Sequence, residues 1–188
     1  MNKRLLVLSA IVLSATMARM LPHPPNVTPI AAIALFGGAY LCNRKLAFLL
    51  PPSAMVLSDL GLWALGQVPL LGQQSLWVYG SFSVTVCLGL WLRQHRRVLP
   101  IAGATLAGAV LFYLMTNFGV WVTGALYPRT TAGLLQCYTA AIPFFRNMLL
   151  GDAGYVALLF GGFALAEKQF VALREPDSVT PKVLSRAV

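Results

Sequence analysis

The chain has 188 residues, 58% hydrophobic and only 10% charged, with a formal net charge of +9 and a mean hydropathy of +0.74. Soluble domains are about a quarter charged, so the composition excludes a soluble globular domain and marks an integral membrane chain. The positive charges lie at the breaks between apolar runs, not on one face or among aromatics, which makes them topology signals and excludes a nucleic-acid surface.

Apolar runs near the about 20 residues needed to cross a bilayer recur along the chain, predicting an all-α membrane protein of about six transmembrane helices in one domain, residues 1–170. The opening "MNKRLLVLSAIVLSATMARM" has the basic head and apolar centre of a signal peptide without a good cleavage site, so a retained first helix is expected over 5–20. "LPHPPNVTP" follows, whose four prolines forbid a helix. A short second helix is predicted over 30–42. A third, over 46–65, carries Pro51 and Pro52 and either kinks or begins there. After "GQVPLLGQQ", a fourth helix covers 75–92 and a fifth 99–123. "TAGLLQCYTAAI" has helical spacing of apolar positions after a polar start, predicting a short interfacial helix before the last span, 143–166. Residues 171–188 read as a polar cytoplasmic tail.

Basic residues are retained on the cytoplasmic side. Placing both termini and the loops around Arg44 and Arg96 inside collects 11 of the 14 Lys and Arg residues and leaves Arg19, Arg129 and Arg146 outside. With that orientation Arg19, Asp59, Asn117, Arg146, Asn147 and Asp152 all fall in the outer half of the membrane. Ionisable groups in a bilayer cost a few kcal/mol or more unless paired or wet, so the cluster suggests a shared interior chamber. Arg146 and Asp152 are six positions apart, about 120° around a helix, and need other partners. Two four-residue stripes, Ser75, Tyr79, Ser83 and Cys87 and then Tyr113, Asn117 and Trp121, are expected to face that chamber, giving the aromatic planes and hydrogen-bonding groups that suit a flat organic molecule. The rival reading pairs Asp59 with Arg146, or Asp152 with Arg19, as purely structural locks between helices of a non-transporting assembly subunit.

Cys42, Cys87 and Cys137 form no CxxC pair, so no disulfide framework or zinc site is indicated. Cys137 and His23 are the least implausible metal or ligand contacts, each with a plainer reading as a buried thiol and a polar loop residue; His95 belongs to a solvated basic turn. Ala10, Ser14 and Ala18 form a small-residue stripe fit for docking another helix. No phosphate loop, HExxH or GxSxG motif occurs, so neither an enzyme nor a cofactor protein is expected, and the partners foreseen are a solute, the bilayer and an energising membrane complex.

The segments "ARMLPHPPNVTPIAAIALFGGAYL", "MVLSDLGLW", "LMTNFGVWV", "YPRTTAGLLQCYTAAIPFFRNMLLGD" and "ALLFGGFALAEK" resemble, in order, a family of uncharacterised bacterial inner-membrane proteins regarded as transporters. That family is similar to the substrate-binding S components of energy-coupling factor vitamin transporters. The resemblance implies a six-helix bundle with both termini cytoplasmic, a ligand held at the outer side near Asn26, Asp59, Asn117, Arg146, Asn147 and Asp152, and a first-helix face turned to an energising partner. It names no ligand. Cobalamin carriers of this kind place a cysteine after the third helix, where "GQVPLLGQQ" has none, which leaves cobalamin open as a ligand but not indicated.

Overall fold

A computed structural model describes residues 3–19, 21, 26–41, 43–67 and 72–174. Among them the chain is all helix: α1 (Lys3–Ala18), α2 (Ile30–Tyr40), α3 (Arg44–Ala64), α4 (Ser75–Leu92), α5 (Val98–Thr123) and α6 (Thr131–Gln169). The last four are long and apolar enough to cross a membrane, as expected of an integral membrane protein. α2 is not, since its 11 residues reach only about 16 Å. It is instead the hub of the bundle, touching every other helix and buried without interruption from Ala32 to Leu41.

Glycine makes that burial feasible. Gly38 of α2 and Gly89 of α4 face one another so closely that a Cβ on Gly89 would lie 2.5 Å from the Leu35 carbonyl oxygen, and one on Gly38 would lie 2.7 Å from Gly89 Cα. This contact fixes the rotation of α4, turning Ser81, Phe82, Thr85, Val86 and Gly89 inward. The stripe expected to face the interior is corrected accordingly: Ser83 and Cys87 are exposed, and Ser83 Oγ donates back to the Tyr79 carbonyl at 3.0 Å. Four residues of spacing identified a stripe, but backbone approach decided which face was buried. Farther along α2, Phe36 and Tyr40 meet Phe160 and Phe163 edge-on, with Phe36 5.5 Å from each of the latter two and Tyr40 4.7 Å from Phe163.

Pro51 and Pro52 lie inside α3, not at its start, which Asn43 caps by accepting from Lys45 N at 2.8 Å. The stretch predicted to be a separate interfacial helix is continuous with the last span. Thr130 caps α6 by accepting from Gly133 N at 3.1 Å, and the helix runs through Pro143, which removes a single backbone donor, to Gln169. Its 39 residues measure about 58 Å, nearly twice the hydrocarbon thickness, and the polar first turns belong to the same helix as the apolar span. A π segment, Ala157–Gly161, interrupts it.

The bundle has two unlike ends. At one, buried Arg4 donates to Glu167 Oε1 at 2.9 Å and to the Leu173 carbonyl, so the chain is anchored to the bundle at least to Leu173. Arg93 donates to the carbonyls of Gly38 and Leu41 nearby. The other end carries Arg19, Asp59, Tyr79, Asn117 and the start of α6.

Candidate functional site

The predicted polar residues divide into two groups at this second end. Arg19, just past α1, donates to Asp59 and, at 2.6 Å, to Ser58 Oγ on α3, while Tyr79 on α4 donates to the second Asp59 oxygen at 2.7 Å. Both carboxylate oxygens are thereby occupied, and the Arg19 and Asp59 side chains are 16% and 13% exposed. The pairing differs from both expected ones because α1 packs against α3, bringing the end of one helix to the outer turns of the other. Direct charge-assisted contacts of this kind lock three helices together and neutralise Asp59 within the protein.

The second group surrounds a cavity of about 250 Å³ between α4, α5 and α6, with Asn26 at its rim. Asn26 has a φ of 64°, a left-handed conformation that asparagine tolerates better than other side-chain-bearing residues. One residue on, Val27 sits on Gly151 of α6, where a Cβ would lie 3.0 Å from Val27 Cγ1. The 26–29 segment therefore enters the bundle and leads directly into α2.

α5 supplies Phe112, Tyr113, Thr116 and Asn117 to the cavity wall, α4 is represented by Val78 with Gln74 just before it, and α6 gives Ala141, Phe144, Phe145 and Met148. Several of the polar groups are already engaged. Tyr113 donates to the Tyr138 carbonyl at 2.6 Å, Thr116 to the Phe112 carbonyl at 2.7 Å, and Asn117 Nδ2 to the Tyr113 carbonyl at 2.8 Å. That last bond leaves the Asn117 side-chain oxygen with no donor among the described residues. Amide groups at Asn26, Gln74 and Asn117 thus meet rings of Phe112, Tyr113, Phe144 and Phe145, a lining of hydrogen-bonding edges and π faces without a basic side chain among the described residues.

The other predicted residues stand apart. Trp121 turns away to hold the following loop, donating to the Pro128 carbonyl at 3.0 Å. Arg146 is exposed and Asn147 half-buried, and neither lines the cavity. Asp152 is buried, at 2% exposure, and its Oδ2 has no hydrogen-bond partner. Cys137 is buried against α5, its thiol donating to the Asn117 carbonyl at 3.4 Å, while Cys87 is exposed. His23 and Cys42 lie outside the described residues. Ala10 and Ser14 are exposed and Ala18 half-buried, so the stripe is not consumed by packing within the bundle.

Sequence reasoning missed Gln74, Thr116, Phe144, Phe145 and Met148. The α6 residues carried a signal, since Ala141, Phe145 and Met148 recur at helical spacing, but the predicted break at 143 cut the stripe in two. A larger hollow of about 550 Å³ lies between α5 and α6 toward the Arg4 end, walled by Ile101, Ala102, Val156 and Phe160. It is almost wholly apolar, with Arg96 stacked 4.7 Å over the Tyr40 ring at one end, and offers a solute little to recognise. No curated protein and no solved structure matches the chain. A family model described as a family of unknown function (DUF6580) matches residues 1–176, and the chain belongs to that family.

Proposed function

We propose that the protein is a membrane-embedded binding protein for the uptake of a small vitamin-like solute, held in the cavity between α4, α5 and α6. The observation that carries this reading is the Asn117 amide, presented inside a span to a partly open cavity with its oxygen unmet. The cavity is smaller than the roughly 300–1,000 Å³ of drug-sized ligand sites, which favours a heterocycle of one or two rings over cobalamin.

The positive-inside rule supports a bacterial inner-membrane protein with cytoplasmic termini, because Lys3, Arg4, Arg93, Arg96, Arg97 and Lys168 gather at the end opposite the cavity. The cavity then opens outward, as in the S components of energy-coupling factor transporters, and the exposed face of Ala10 and Ser14 is where an energising complex docks. The chain performs no covalent chemistry in this reading. The scaffold reading is favoured locally by the Arg19–Asp59–Tyr79 contacts, which we assign to helix locking and not to the solute.

Mass spectrometry of small molecules released from the purified protein tests the proposal. A solute should accompany the wild type and be absent from a folded Asn117→Ala variant. Equal retention by both would count against the cavity.

A further inference from the structure

We infer that the solute is a small organic cation and that Asp152 supplies its counter-charge; this rests on the cavity reading above. The sequence has five acidic residues, of which Asp59, Asp152 and Glu167 lie among the described positions. Asp59 is engaged by Arg19, and Glu167 by Arg4. Asp152 alone of these three has a buried carboxylate oxygen with no partner, although it is the most enclosed of them. An ionised carboxylate at the middle of a membrane helix is costly; such a group either takes up a proton or is met by something positive, and a cationic solute is the partner assigned to it.

Its position says from where. At 100° per residue, Ala141, Phe145, Met148 and Asp152 fall within an arc of about 60° on α6. The first three line the cavity. Asp152 therefore occupies the next turn of the same face, outside the lining itself and one turn beyond Met148, whose unbranched side chain adapts readily. Above it the lining provides the open Asn117 oxygen and aromatic faces, all of which attract a positive centre. In a chain of net charge +9 the cavity lining has no lysine, arginine or histidine among the described residues, and none of these would neutralise an anionic solute.

Three probes of nearly one shape and different charge separate the alternatives: 1-methylnicotinamide (cation), nicotinamide (neutral) and nicotinate (anion). Each is titrated calorimetrically against the purified full-length wild type, Asp152→Asn and Asn117→Ala, with size-exclusion profiles as the check on folding. Asp152→Asn removes an unpartnered charge while keeping shape, so it folds. The cation is expected to bind the wild type at least about tenfold more tightly than nicotinamide, with nicotinate weakest. Asp152→Asn should erase the preference for the cation, and Asn117→Ala should weaken all binding.

If nicotinamide or nicotinate binds as tightly as the cation and still depends on Asn117, the cavity stands and the charge assignment falls. The assignment also falls if the preference survives in Asp152→Asn. If no probe binds, or binding ignores Asn117, the cavity reading falls and takes this inference with it.

Discussion

Gly89→Ala is the most discriminating test of the fold, because the added methyl has nowhere to go. Its Cβ would stand 2.5 Å from the Leu35 oxygen, 2.9 Å from Gly38 Cα and 3.0 Å from the Ala34 oxygen, all backbone atoms of one helix. Ordinary contact begins near 3.4 Å, so α2 and α4 must part by roughly 0.9 Å. α2 cannot shift freely, since Pro51 packs on its adjoining face at Gly37, where a Cβ would lie 3.0 Å from the proline ring. Overpacking of a dense core costs about 1–3 kcal/mol, and the absence of a yielding side chain places this site at the upper end, about 3 kcal/mol. Reversible unfolding in mixed micelles by a denaturing detergent, followed by tryptophan fluorescence, measures the difference. Gly103→Ala is the control: nothing lies within 4 Å of its Cβ, and helix propensity predicts a gain of up to about 1 kcal/mol. A Gly89→Ala protein within 0.5 kcal/mol of wild type would show that the helices do not cross at this glycine pair.

Removing one member of the Arg19–Asp59 pair, as in Asp59→Leu, should destabilise by about 3–5 kcal/mol, whereas Arg19→Met with Asp59→Leu should recover most of that loss in the same assay. Neither change should alter calorimetric binding of a solute that Asn117 retains. Thr130→Ala deletes the cap of α6 and should cost about 1 kcal/mol, read as a lower unfolding midpoint. Arg4→Met should free the 171–174 segment from its anchor at the Leu173 carbonyl, seen as faster proteolysis near Arg174 in intact membranes.

Apolar run length is a local property, and it located α4 at both ends and α5 to within one residue. The continuity of α6 was not legible, because Pro143 and the polar residues before it read as a break in any window too short to see the whole helix. Partnerships between charges depend on which helices are neighbours. A single sequence placed Arg19, Asp59 and Asp152 at one depth but contained nothing to say that α1 lies against α3. The helix 5 stripe was half informative: Tyr113 and Asn117 face the cavity, while Trp121, one turn farther, is claimed by the loop. The open amide of Asn117 depends on which neighbours take its hydrogen-bonding capacity, and only coordinates decide that.

The bond from Arg4 to Glu167 joins residues 163 positions apart. On the ribosome, at about 5–20 residues per second, the arginine waits roughly 8–33 seconds before its carboxylate is even synthesised. The final stitch of biogenesis is therefore made between the two extremes of the chain, and a nascent polypeptide truncated before residue 167 has no means of making it.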